Sequence, residues 1–369
     1  MILTIIVFAL ILSLLVFVHE LGHFLVAKKV GVKVEEFGFG LPPRIWGIQK
    51  GETIYSINWL PIGGFVKLAG EDMDELESGK SGWSYSEKTV KTNLDSIDTK
   101  RFFWARSKKE RSAILLAGVT MNFVLAIAII SFIFTQGVFV PTDRIHVEKT
   151  IANGPASAAG LESGDIILSF GGKLIKTTED LIKTTQKYAG EPVLMVIERK
   201  GVQYNFTITP RKDPPKEEGP MGVVISNLEE KKYKIYEAPF FGTLEALKIS
   251  ALMIGSLGGM LWRFVTFQKV ALEVAGPIGI AQATGQAIKL GFIGVLELTG
   301  LLSLNLAIIN ILPIPALDGG RLLFVILEKF LGRRVKPAAE RVMHQIGMVF
   351  LLGLFVLVTI HDILRLIHS

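Results

Sequence analysis

Apolar residues fill four long runs of this chain, near 2–27, 112–136, 293–312 and 346–367. Each reaches the roughly 20 residues that a helix needs to cross a bilayer. Between the second and third runs the pattern changes. From Val140 to Arg211 short alternating segments are separated by glycine turns, which predicts a small α+β module. A short helix stops at Gly160, a Ser-Gly-Asp turn occupies 163–165, and a strand at 166–170 runs into Gly171-Gly172. A helix capped by Thr177, with Asp180 three residues on, closes at Gly190. Strands 193–199 and 203–209 flank Lys200-Gly201 as a hairpin. Pro239 to Val270 is apolar but carries Lys248, Arg263 and Lys269 and several glycines. That mixture predicts an interfacial amphipathic helix, because charges are expected to interrupt every window of spanning length.

Composition agrees with a mixture of membrane spans and watery parts. Hydrophobic residues make up 50% of the chain and charged residues 20%, with a mean hydropathy of +0.45. That is too apolar for an ordinary soluble enzyme and too charged for spans alone. The absence of cysteine excludes disulfides, thiolate metal sites and a cysteine nucleophile. The net charge of +6 does not point to nucleic acid, because the basic residues flank apolar runs, where they set membrane orientation. Lys28, Lys29 and Lys33 follow the first span, and Arg106, Lys108, Lys109 and Arg111 precede the second. Lys329, Arg333, Arg334, Lys336 and Arg341 lie between the third and fourth. Both loops are therefore expected in the cytoplasm, with both termini and the 137–290 segment on the outer face. The first run has no basic residue before it and too long an apolar core for a cleaved signal, so it reads as a retained anchor.

Inside that first run stands "VFVHELGHFLVA", residues 16–27. An acidic side chain at the centre of a membrane helix costs about 2.5–3.5 kcal/mol, and such residues carry function by default. On a helix His19 and His23 project from one face, about 6 Å apart along the axis, and can share a metal. Glu20 is then placed to take a proton from water at that metal, as H-E-x-x-H requires. Two imidazoles and a carboxylate suit zinc, whose open fourth position activates water at neutral pH.

The third ligand must come from elsewhere. Asp318, in "NILPIPALDGGRLL", follows a span broken by Pro313 and Pro315, and irregular backbone at membrane depth is tolerated where it lines a cavity. Asp318 could instead only cap the helix that starts near Gly319; a zinc in need of an oxygen ligand favours the first reading. His344 ranks below it. Asp143, Asp165 and Asp180 belong to the outer module, on the wrong side for the cytoplasmic end of the first span.

These residues resemble the site-2 protease family of intramembrane metalloproteases, in its bacterial RseP-type branch, over nearly the whole chain. "HELGHF" is similar to the family's metal motif. "FGFG" at 37–40 and "LPIGGFVKLAGE" at 60–71 are similar to its membrane-associated β-region, and "NLAIINILPIPALDGGRLL" to its Asp-Gly motif. "AGPIGIA" at 275–281 resembles the segment before the third core span. The second span departs from the family: Val119 follows Gly118 where a proline usually stands, although Asn122 keeps its place. The 140–212 module, chiefly through "AAGLESGDIILSFGGK", resembles a PDZ domain, and only one such module is present.

The resemblance implies a polytopic α-helical membrane protein with about four transmembrane helices, a membrane-associated β-region and one PDZ-like α+β domain. Its parts are a membrane core at 1–139, the PDZ-like domain at 140–212, a linker with the interfacial helix at 213–275, and a second membrane core at 276–369. One Zn2+ per chain is implied, held by His19, His23 and Asp318, with Glu20 catalytic. Gly63, Gly64, Phe65, Val66, Lys67 and Leu68 would hold an unwound substrate by strand addition. Asn310 would contact that substrate and Asn122 assist, although either asparagine can also bond helix to helix. Substrates would be single-span proteins of the bacterial cytoplasmic membrane, already shortened outside, such as anti-sigma factors or signal-peptide remnants. The outer PDZ-like domain would exclude bulky uncut proteins. Two other readings stand beside this one. A zinc-containing PDZ scaffold would be indifferent to Glu20→Gln, and a zinc transporter would need more polar residues in its spans than this chain offers.

Overall fold

The first apolar run forms helix α1, Ile2–Lys29, which ends on Lys28 and Lys29 beside the negative end of the helix dipole. Gly31, at φ +80°, then turns the chain into a sheet. The computed structural model describes residues 1–71, 99–215, 218–266, 268, 276–333, 335 and 337–368. Lys269, Val270, Ala275, Arg334 and Lys336, named above, lie outside these. The chain divides into two units, residues 1–133 with 235–369, and residues 134–234.

In the first unit, β1 (Val34–Lys50) and β2 (Thr53–Leu68) fold back on each other. Residues 34–39 lie beside 64–68 on one side and 54–57 on the other, while 44–50 pair with 53–58. Among the described residues, 64–68 therefore have a ladder partner on one side only. Their open edge faces α1. Phe17 and Phe24, seven residues apart on α1, pack on the Phe37 ring at 5.4 and 4.7 Å and fix the sheet against the helix. Ala27, Val32, Val34, Leu68 and Ile114 form a buried cluster that binds the end of α1 and the sheet to helix α2, Lys108–Gln136. Gly22 permits this crossing, since a methyl group there would lie 2.4 Å from the Ala117 carbonyl. The α2 helix runs unbroken through Val119, which is buried.

The C-terminal part of this unit contains α5 (Ala238–Val265), α6 (Pro277–Lys289), α7 (Gly291–Ile311), α8 (Asp318–Leu331) and α9 (Pro337–His368), numbered after two short helices of the second unit. Spans were expected at 2–27, 112–136, 293–312 and 346–367, and α1, α2, α7 and α9 occupy those positions. One expectation needs correcting. A fifth described helix is also long and apolar enough to cross a membrane, Ala238–Met260, so charges do not interrupt every window of spanning length there. Its charges, Glu245 and Lys248, sit one turn apart and pair at 3.7 Å, so they interrupt a single turn and not every window.

The second unit is a six-stranded sheet formed by β3 (Val138–Thr150), β4 (Ile166–Phe170), β5 (Lys173–Leu174), β6 (Val193–Arg199), β7 (Val202–Ile208) and β8 (Val223–Lys231). The order is β7-β6-β4-β3-β8, with β5 paired to β4. Two helices, α3 (Pro155–Ala158) and α4 (Thr178–Lys187), complete it. The turn chemistry is as the sequence predicts. Thr177 accepts the Asp180 N–H, Gly160 and Gly190 have positive φ, and Lys200-Gly201 turns the hairpin at φ 51° and 79°. Val193, Met195 and Ile197 point inward and Leu194 outward, the alternation of a half-buried strand. The unit reaches beyond the expected 140–212 module. Strand β8, placed by the sequence in the linker, returns to pair along β3, so the unit ends at Lys234.

Candidate metal centre

Three side chains meet inside the first unit. His19 Nε2 lies 2.9 Å from Asp318 Oδ2, His23 Nε2 lies 3.2 Å from the same oxygen, and the two Nε2 atoms are 3.2 Å apart. Both histidines are buried. His23 Nδ1 donates to the Ile114 carbonyl at 2.8 Å, which leaves its Nε2 lone pair directed inward. Two imidazole nitrogens and a carboxylate oxygen converging in this way are satisfied together by one cation. The edges of the triangle compare with the ~3.3 Å edge of a tetrahedron built on ~2.0–2.1 Å Zn–N and Zn–O bonds. The donor set and its spacing therefore fit zinc.

The local sequence explains how Asp318 arrives there. Pro313 and Pro315 end α7, and Ala316 takes a positive φ of 77°, with its N–H donated to His344 Nδ1 at 2.9 Å. His344 thus supports the turn and stands outside the cluster of His19, His23 and Asp318. Gly319 and Gly320 let the turn pack on the start of α8, because methyl groups there would lie 2.2 Å from the Leu312 carbonyl and 2.4 Å from the Ile314 carbonyl. Leu317 is the N-cap and Asp318 the first helical residue, with no side-chain cap. The Asp318 carboxylate is turned to the histidines, not to its own helix. In the second unit, Asp165 and Asp180 are engaged by Arg199 and Lys173.

The other expected residues divide into those at the centre and those beside it. Glu20 accepts the Val66 N–H at 3.1 Å, which joins α1 to the open edge of β2. Gly63 has φ +81°, and a methyl group on Gly64 would lie 3.0 Å from the Gly38 carbonyl. Phe65 covers Gly38, Lys67 pairs with Glu35 at 3.2 Å, and Leu68 is buried in the cluster with Ala27. Asn310 Nδ2 stands 3.5 Å from His19 Nε2, on the ligand side of the ring. Asn122 Nδ2 stands 3.4 Å from His19 Nδ1, on the opposite side. Asn122, expected to assist at the substrate, is fully buried behind the His19 ring.

A model of peptidase family M50 matches residues 7–354. The chain belongs to this family. It is 32% identical to the zinc metalloprotease RasP of Bacillus licheniformis over 98% of this chain and 99% of that protein. It is 29% identical to the regulator of sigma-W protease RasP of Bacillus subtilis, again over 98% and 99%. A putative zinc metalloprotease of Fusobacterium nucleatum is 31% identical over 99% of this chain and all of that protein. Among solved structures, the PDZ domain of an SdrC-like protein from Listeria monocytogenes aligns over 24% of this chain and 93% of that one. Identity there is 20%, with a TM-score of 0.21. This M50 chain is a membrane-embedded metalloprotease with zinc as its cofactor.

Two groups at the centre of this M50 protease were not expected there from the sequence, although Gly118 belongs to the second-span pattern. Gly118 lies against both imidazoles, since a methyl group on it would be 2.4 Å from His23 Nε2 and 2.8 Å from His19 Nε2. The Ile114 carbonyl belongs to the backbone, so no residue type announces it. The spacing of 114, 118 and 122 would have placed them on one face of α2, but nothing local says that this face meets α1.

Proposed function

We propose that this protein hydrolyses a peptide bond within or beside the transmembrane segment of single-span membrane proteins whose outer part has already been shortened. The observation that carries the reading is the convergence of His19, His23 and Asp318, at 2.9–3.2 Å, beside Glu20. These three residues would hold one zinc per chain. When bound, zinc supplies a Lewis acid that acidifies water and polarises a carbonyl. Glu20 takes the proton from the attacking water and passes it to the leaving nitrogen. A helical substrate must first unwind, and the open edge at 64–68 satisfies its freed backbone groups by strand addition. Asn310, on the ligand side of His19, donates to the extended substrate.

Contacts within the first unit support the expected orientation. Gly285 of α6 faces Thr4 at the start of α1, while Asn310 at the end of α7 reaches His19. Helix α7 therefore starts on the face of the N-terminus. Helix α2 starts beside the other end of α1, where Arg106 donates to the Gly31 carbonyl, and so ends on the N-terminal face as well. An even number of crossings must lie between Gln136 and Gly291. Helix α6, with 13 residues, is about 20 Å long and cannot cross. We therefore lay α5, which carries Glu245 and Lys248 and has the lowest hydropathy of the five, at 1.4, along the interface. The basic ends of α1 and α2 favour a metal centre toward the cytoplasm, with the 134–234 unit and both termini outside the bacterial cytoplasmic membrane. That unit acts as a PDZ-like filter against bulky uncut proteins. Anti-sigma factors fit this substrate class, supported by the name of the Bacillus subtilis relative, a regulator of sigma-W protease, and signal-peptide remnants fit it too.

The test is cleavage of a tagged single-span substrate, with its outer domain removed, by purified wild type and Glu20→Gln. Cutting by wild type alone, with about one zinc in each protein, is the expected result. Equal cutting by both overturns the role of Glu20.

A further inference from the structure

The Nδ1 atoms of the two histidines are treated differently. That of His23 has a carbonyl acceptor, Ile114 O at 2.8 Å. That of His19 faces the Asn122 amide, with Nδ2 at 3.4 Å, while Asn122 Oδ1 is buried without a partner. Zinc on Nε2 leaves the proton of a neutral imidazole on Nδ1, and two N–H donors cannot bond to each other. A half-turn of the amide about its last torsion brings the orphaned oxygen opposite the His19 Nδ1–H.

We propose that Asn122 is a positioning residue of the metal centre, whose amide oxygen accepts the His19 Nδ1–H and fixes the ring for its ligand role. This rests on the reading of His19 as a zinc ligand. Three successive turns of α2 then serve the histidine pair from one face. Ile114 supplies a carbonyl to His23, Gly118 supplies the absence of a side chain beside both Nε2 atoms, and Asn122 supplies an acceptor to His19. The position of Asn122 is itself held, because Ser303 of α7 donates to its main-chain carbonyl at 2.7 Å. Acceptors of this kind fix the tautomer and raise the basicity of the ligand, and losing one typically weakens metal binding about 10–100-fold. Full burial removes Asn122 from the substrate and is what an orienting group requires.

The experiment measures zinc affinity of the purified full chain by chelator competition, with thermal unfolding of the metal-free protein beside it. Asn122→Leu keeps the volume and removes the acceptor; a loss of about 10–100-fold is expected, with unchanged metal-free unfolding. Asn122→Asp restores an acceptor and is expected to stay within a few-fold of wild type, a rescue that a merely structural role would not give. Asn122→Ser, polar but too short to reach the ring, replaces the leucine variant if that protein does not fold. Wild-type affinity in the variants lacking the acceptor, or equal losses for Asp and Leu, overturns the proposal. His19→Ala is the control. If it keeps full zinc affinity, the ligand assignment has failed; if it loses zinc while Asn122→Leu does not, only the positioning role has failed.

Discussion

The main-chain N–H of Val66 donates to the Glu20 carboxylate at 3.1 Å, so the open edge of β2 and the proposed catalytic base are one hydrogen-bonded unit. A substrate strand added at 64–68 meets the same N–H. Val66→Pro deletes that donor without breaking a ladder bond to β1, and edge strands tolerate proline. One lost hydrogen bond is worth about 1–1.5 kcal/mol, so KM for a single-span substrate is expected to rise roughly 5–10-fold with zinc content unchanged. Steady-state cleavage checks this. A fall in kcat with KM unaltered would count against strand addition and assign the Val66 N–H to aiming Glu20.

Gly118 offers a sharper test of the metal centre. Its added methyl group would occupy the space beside His23 Nε2 and His19 Nε2, at 2.4 and 2.8 Å. Alanine favours a helix more than glycine does, by about 1 kcal/mol, so α2 itself is not weakened. Gly118→Ala is expected to lose zinc at least 100-fold while its circular dichroism keeps the wild-type helix signal, since misplaced ligands are penalised at least as heavily as lost outer partners. Normal zinc content in the variant would show that the ion does not sit between these imidazoles.

What the sequence reveals is what local spacing controls. His19 and His23 are legible because four residues make one turn, and because charge inside an apolar run needs a reason. The turns at Gly160, Thr177 and Lys200-Gly201 are legible because their chemistry is local. The pairing of β8 with β3 is not, because partners such as Val138 and Lys231 are far apart in sequence and no residue type marks the register. Along the string Lys248 reads as an interruption of α5, yet in space it pairs with Glu245 one turn away, which leaves a window of spanning length. Nor does the sequence show that the fold buries Asn122 behind His19.

Away from the ligands, Arg111 of α2 and Glu328 of α8 form an ion pair whose side chains are 8% and 5% exposed. Lys108 also donates to the Glu328 carbonyl at 2.9 Å, so α8, which begins with Asp318, is tied to α2 at its far end. Removing one member strands a buried charge, so Arg111→Ala is expected to cost about 3 kcal/mol, read as a lower unfolding temperature in detergent and weaker zinc retention. Replacing both, with Arg111→Met and Glu328→Leu, is expected to return stability to within about 1 kcal/mol of wild type. A double variant as unstable as Arg111→Ala would mean that the pair does more than cancel charge.

Asp165 gives the 134–234 unit a pH dependence. Burial pushes its carboxyl up, but Arg199 at 2.6 Å and the Glu162 N–H at 2.8 Å outweigh burial and hold it below the usual carboxylate range. A carboxyl depressed in the folded state contributes stability that is fully present above its unfolded value of about 3.9 and is lost as pH falls through the folded value. Asp165→Asn is therefore expected to weaken the unit by about 1–2 kcal/mol at neutral pH. That is less than a fully buried pair would lose, because the Arg199 side chain is 23% exposed and partly screened. The gap narrows as pH drops below about 4 and closes once pH has passed the depressed folded value, where the native wild-type carboxyl is neutral as well. Hydrogen exchange of amides in β4 and β6, followed in the intact chain from neutral to acid pH, measures this. A gap that persists unchanged below that range would place the stabilisation in packing around Asp165 and not in its charge.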